Sequence, residues 1–83
     1  MTAKLFKVGI YSSDKAIYEG DALSLIVPSE SGYLGVLAGH APLVAKLVSG
    51  KITLRTPVGK SSEIDSPPGG FLEIRRNQVT LLL

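Results

Sequence analysis

Gly32-Tyr33-Leu34-Gly35-Val36-Leu37-Ala38-Gly39-His40-Ala41-Pro42-Leu43 is the stretch that decides how the chain folds. It packs three glycines, a proline and the only histidine into one short segment, between apolar runs on either side. Glycine inside a strand pattern marks a bulge or a place where another backbone comes close, and proline marks a turn or a sheet edge. The segment therefore reads as a strand over Tyr33–Leu37, ended by a tight turn over Ala38–Pro42 that launches the next strand.

The same alternation extends outward from this stretch. Toward the N-terminus, Lys4–Tyr11 puts Phe6, Val8 and Ile10 on one face, the period-2 mark of a half-buried strand. Ser12-Ser13-Asp14-Lys15 is a turn, because short hydroxyl and carboxylate side chains bond the nearby backbone. Ala16–Glu19 is a short strand ended by Gly20. Asp21–Val27 sends Leu23, Leu25 and Val27 one way and Ala22 and Ile26 the other, with Pro28 as its stop. Toward the C-terminus, Leu43–Val48 alternates with apolar residues on both faces, so each face is expected to meet something. Lys51–Thr56 is cleanly amphipathic, with Ile52 and Leu54 inward. Lys60–Asp65 is a weaker strand anchored by Ile64. After the breaker Ser66-Pro67-Pro68-Gly69-Gly70, Phe71–Arg75 and Val79–Leu83 form a final hairpin. Short strands punctuated by Gly and Pro, with no helical period free of those breakers, predict one all-β domain, a sandwich or a barrel.

Composition narrows the class. In 83 residues, 45% are apolar and only 19% charged, which is greasy for a single small domain with so much surface. No apolar run approaches the roughly 20 residues of a membrane-spanning helix, and Met1-Thr2-Ala3-Lys4 has no signal-peptide character. The absence of cysteine excludes disulfides and thiolate metal sites. A net charge of +2, with Lys and Arg scattered, does not make a nucleic-acid surface. Excess hydrophobicity without a span points instead to a surface covered by a partner protein.

Little in the chain is suited to chemistry. Gly59-Lys60-Ser61 matches the tail of a phosphate-binding loop, but the glycine that the motif needs five residues before Gly59 is Leu54. His40 lacks a spaced set of His, Cys, Asp or Glu partners, so a turn histidine bonded to backbone is favoured over a base or a metal ligand. Arg75-Arg76 is a solvated turn. The expectation is no catalytic residue, no cofactor and no metal.

Several segments in order resemble the N-terminal β-sandwich domain of the epsilon subunit of F-type ATP synthases. These are Phe6-Lys7-Val8, Tyr18-Glu19-Gly20, Pro28, Gly32-Tyr33-Leu34-Gly35, Gly39-His40-Ala41-Pro42-Leu43, Gly50-Lys51-Ile52, Gly69-Gly70-Phe71-Leu72-Glu73 and Asn77-Gln78-Val79-Thr80. The resemblance covers nearly the whole chain. It implies a flattened antiparallel sandwich of about ten short strands in two sheets. It also implies a non-catalytic subunit of the rotor's central stalk that links the gamma subunit to the c-subunit ring and helps couple ion translocation to ATP synthesis. Its place would be peripheral, on the cytoplasmic face of the bacterial plasma membrane, with no direct membrane insertion. Carried over residue by residue, the resemblance sets the loop of Glu30, Ser31, Gly32 and Tyr33 against the polar loops of the c ring. Ser12 and His40 correspond to positions near the gamma and c-ring contacts.

The chain departs from the family pattern in places. Tyr33 stands where the family often has an acidic residue, Ala38 replaces a common proline, Ser12-Ser13 replaces a common Thr-Pro, and Pro68 replaces a usual serine. The sequence ends at Leu83, before the helical hairpin with which most family members continue and restrain ATP hydrolysis, so these residues are expected to lack that inhibitory element. The competing expectations are a free-standing β-barrel module for peptide or single-stranded nucleic acid, which needs aromatics interleaved with basic residues on one face, and a small hydrolase built on His40.

Overall fold

The computed structural model describes residues 4–83. Residues 1–3, which carry most of the expectation about a signal peptide, lie outside the described residues. Nine strands and no helix make up the described part: β1 (Phe6–Tyr11), β2 (Ala16–Ala22), β3 (Ser24–Ser29), β4 (Gly32–Val36), β5 (Leu43–Lys46), β6 (Gly50–Arg55), β7 (Ser61–Ser66), β8 (Phe71–Arg75) and β9 (Gln78–Leu82). They form two sheets, one ordered β2-β1-β9-β8-β5 and the other β4-β3-β6-β7. The result is a sandwich, as expected. One pair departs from the antiparallel pattern: β1 runs parallel to β9, with Val8 opposite Val79 and Ile10 opposite Leu81.

The core lies where the alternation put it in β1, β3 and β6, and extends over β4, β8 and β9. Phe6, Val8 and Ile10 of β1, Leu72 and Ile74 of β8, and Val79 and Leu81 of β9 are buried from one sheet; Leu25, Val27, Val36, Ile52 and Leu54 are buried from the other. Each such side chain removed from water contributes roughly 1.5–3 kcal/mol, and the interdigitated layer between the sheets is what holds them together.

Three local expectations are corrected. Asp21–Val27 is not one strand: β2 continues past Gly20 to Ala22, and at Leu23 the chain crosses to the other sheet, where the Leu23 N–H donates to the carbonyl of Arg55 over 2.8 Å. Both Ala22 and Leu25 are therefore buried although an unbroken strand would set them on opposite faces. Pro28 does not end its strand, because β6 pairs only with Ser24–Ile26 of β3 and Pro28 faces Tyr33 on the other side. A ladder donor is not needed there. The glycine-rich strand covers Gly32–Val36, one residue earlier than expected, since the His40 N–H closes a turn on Leu37 O at 3.2 Å.

Candidate partner-contact surface

The β3–β4 connection is a two-residue hairpin loop, Glu30-Ser31, closed by the pair Ser29 and Gly32. The Ser29 hydroxyl donates to Gly32 O at 2.6 Å and accepts from the Ser31 N–H at 3.3 Å. Gly32 has φ 113°, a conformation that disfavours any side chain. The loop is anchored to the opposite sheet, because the Glu30 N–H donates to Lys46 O at 3.1 Å. That leaves the Glu30 carboxylate exposed on a backbone held at both ends.

Tyr33, next in line, is 65% exposed, and its ring reaches across Pro28 toward β6. A Cβ on Gly50 would lie 2.9 Å from the Pro28 Cβ and 3.0 Å from the Tyr33 hydroxyl. The missing side chain at Gly50 is thus what lets the ring lie over the strand.

Ser12 sits in the turn after β1, where its N–H donates to Lys15 O at 2.9 Å and its hydroxyl donates to Asp14 Oδ1 at 3.1 Å. Strand register puts it at the same end of the sandwich as Glu30. Tyr11 faces Leu82, Leu82 faces Phe71, Phe71 faces Lys46, and Lys46 holds Glu30. Three strand spacings, about 14 Å, separate Tyr11 from Lys46.

His40 is elsewhere. Its turn is tied by the Gly39 N–H to Asn77 Oδ1 at 2.8 Å, in the β8–β9 turn beside the start of β1. Six residues of β1 separate that end from Ser12, about 20 Å at 3.3 Å per residue. The six expected contact residues therefore divide between the two ends of the sandwich. The His40 ring lies 2.7 Å from Ala41 O through Nδ1. A carbonyl only accepts, so Nδ1 donates in this contact.

One surface was not singled out in the sequence. On the outer face of the five-stranded sheet Val44 is 70%, Phe71 50% and Leu82 54% exposed. Phe71 faces Leu82 across the hairpin, and β5 lays Val44 alongside β8. The signal was partly present, because Leu43–Val48 is apolar on both faces and Phe71 and Leu82 have the outward parity of their strands. What joined them was β5 pairing with β8.

Two ion pairs and one tyrosine–carboxylate hydrogen bond join neighbouring strands on the outer faces. Lys7 Nζ lies 2.8 Å from Asp21 Oδ1, Lys51 bonds Asp65, and the Tyr11 hydroxyl donates to Glu19 Oε2 at 2.9 Å. Each hydrogen bond to a carboxylate, reinforced by its charge, holds the proton of Lys7, Lys51 or Tyr11 above its ordinary range. Gly59-Lys60-Ser61 belongs to a strand-connecting turn, with Gly59 N–H to Thr56 O and Thr56 N–H to Lys60 O both at 2.9 Å. That geometry is a hairpin turn and not a strand-to-helix phosphate loop.

The chain is a two-sheet β-sandwich with a glycine-rich crossover and a structured hairpin end. Over residues 5–83 the sequence matches the family model described as ATP synthase, Delta/Epsilon chain, beta-sandwich domain, and the chain belongs to that family. It is 42% identical over 82 residues to an ATP synthase epsilon chain of Leptospira interrogans, covering 99% of this chain and 63% of that one. It is 40% identical over 79 residues to an ATP synthase epsilon chain of Anoxybacillus flavithermus, covering 95% of this chain and 58% of that one. The chain thus spans about six-tenths of the length of these curated relatives. Among solved structures, a chain of the Euglena gracilis mitochondrial ATP synthase shares the fold with a TM-score of 0.85 at 23% identity, over 99% of this chain and 51% of that one. A chain from the central stalk and c ring of the Tetrahymena thermophila mitochondrial ATP synthase does so with a TM-score of 0.77 at 12% identity, over 99% of this chain and 65% of that one.

Proposed function

We propose that this sandwich is the coupling domain of a non-catalytic central-stalk subunit of an F-type ATP synthase, held between the gamma subunit and the c ring. Membership of the delta/epsilon family is the observation that carries this reading. The geometry supports it in two ways. The Glu30-Ser31 loop is braced from both sheets, so an exposed carboxylate beside an exposed tyrosine is offered on a rigid support to polar loops of the c ring. Val44, Phe71 and Leu82 offer an apolar strip for gamma, and covering a strip of that size supplies several kcal/mol at the roughly 1.5–3 kcal/mol of each fully buried side chain. Torque passes through such a domain by contact, and no bond is made or broken by it. The location follows from the partners: peripheral, on the cytoplasmic face of the bacterial plasma membrane.

The binding-module alternative is less well supported. Its exposed aromatics, Tyr33 and Phe71, stand on different sheets, so they form no shared stacking platform. The test is co-expression of the full-length chain with its gamma subunit. A stable complex is expected, and the Val44→Asp, Leu82→Asp double variant should weaken it at least tenfold while remaining folded. Failure of the wild-type chain to co-purify with gamma overturns the reading.

A further inference from the structure

We propose that Asn77 is a positioning residue for partner binding: from the β8–β9 turn its carboxamide holds the Gly39-His40 turn in the orientation that meets gamma. The proposal rests on the rotor-stalk reading above, carried to His40, which the resemblance sets near the gamma and c-ring contacts, and it adds a residue far from that turn in sequence. Asn77 Oδ1 accepts from the Gly39 N–H at 2.8 Å, and Asn77 Nδ2 donates to Leu5 O at 2.8 Å. The partners are 38 and 72 residues away. An N–H requires an acceptor and a carbonyl requires a donor, so the two bonds together fix which way the amide faces. The main chain of Asn77 adds a third tie, accepting from the Lys7 N–H at 3.0 Å. One residue thus joins the last hairpin, the entry to β1 and the histidine turn.

The turn itself has few other restraints. Its closing bond, His40 N–H to Leu37 O, is internal, and only Ala38 packs toward the core. A Cβ on Gly39 would meet nothing within 4 Å. Among the described residues the Asn77 carboxamide is the one side chain that bonds this turn from another hairpin, so without it the Gly39 N–H loses that partner and the turn before His40 is freer to reorient. Asparagine also suits the site locally, because φ at Asn77 is 63°, a conformation that asparagine tolerates better than most residues.

The test compares Asn77→Gly, Asn77→Asp, His40→Ala and the Asn77→Gly, His40→Ala double variant in the full-length chain. Glycine keeps the positive φ and removes both side-chain bonds, whereas aspartate keeps an acceptor for Gly39. Amide exchange at Gly39 is read by NMR and gamma affinity by titration. In Asn77→Gly, exchange at Gly39 should quicken at least tenfold. Gamma affinity should fall about fivefold, the size of one lost hydrogen bond, and the double variant should bind no worse than the weaker single. Asn77→Asp should keep Gly39 protected, and it decides the question should Asn77→Gly not fold: loss of protection or of binding in the aspartate variant then overturns the proposal. Unchanged gamma binding in Asn77→Gly beside weakened binding in His40→Ala, or strictly additive losses, overturns it. Unchanged binding in His40→Ala instead removes the turn from the gamma contact, and the positioning role falls with that part of the functional reading.

Discussion

The Leu47 N–H donates to the carbonyl of Gly70 over 2.7 Å, and this bond pins the end of β5 to the entry of β8 where the two sheets come together. Leu47 is fully buried and also bridges to Ser29 of the other sheet. Gly70 is buried against the chain's last residues, so close that a Cβ would stand 2.6 Å from Leu82 O and 3.3 Å from the Leu83 Cα.

Gly70→Ala is therefore expected to destabilise the domain by about 1–3 kcal/mol, the usual cost of forcing atoms into a packed interior. Gly9 is a useful contrast. A Cβ there first meets the side chain of Tyr11, which can swing aside at the cost of its hydrogen bond to Glu19, whereas backbone cannot. Gly9→Ala should cost less than Gly70→Ala in a urea unfolding series. A larger loss at Gly9 would contradict this account.

The β8–β9 turn carries two non-glycine residues at positive φ, Arg76 at 43° and Asn77 at 63°. Two-residue hairpins favour this left-handed pair because it matches strand twist, and they fill it with Asn and Gly. Arg76→Gly relieves the less tolerant position but loosens the unfolded chain. The net expectation is a gain in stability of up to about 0.5 kcal/mol. Thermal unfolding that shows a loss above about 1 kcal/mol would mean that the Arg76 side chain makes a stabilising contact.

Glu30→Lys should leave stability within about 0.5 kcal/mol, since the side chain is exposed and only its backbone is bonded. Retention of the chain on membranes carrying assembled c rings should nevertheless fall, most steeply at low salt where surface charge is least screened. Unaltered retention at every salt concentration would remove Glu30 from the contact.

Alkaline pH should weaken the fold. Lys7 and Lys51 hold their protons above a lysine's ordinary 10.5, and Tyr11 above a tyrosine's ordinary 10.0, each because of a carboxylate across the strand. Between the ordinary and the raised values the folded state binds more protons than the unfolded one, so stability falls as pH rises. These contributions are fully present below about pH 10 and are lost above it. All three groups are solvent-exposed, so the effect is small. The urea midpoint should be flat from pH 8 to 9.5 and decline beyond, less steeply in Glu19→Gln. A midpoint that climbs above pH 10 would contradict the assignment.

The one-sided alternation of β1 and β6 was enough to name their buried residues, because a period of 2 leaves a single way to face a core. The wording Gly39-His40-Ala41-Pro42-Leu43 likewise marked a turn and a family. Beyond the final hairpin of β8 and β9, which strands become neighbours was not legible. A strand pattern carries no address, so the parallel pairing of β1 with β9, the crossover at Leu23 and the inclusion of Pro28 in β3 all depended on partners distant in sequence.

Sequence alone therefore determined an all-β domain of short strands, with the family resemblance supplying the two layers, since local alternation and breakers are properties of neighbouring residues. Tertiary structure alone decided that Ser12 and Glu30 share one end while His40 occupies the other, and that Val44, Phe71 and Leu82 make one surface. Those relations are produced by hydrogen bonds between segments up to 72 residues apart, such as the one from Asn77 to Leu5, and no local pattern encodes a bond across that distance.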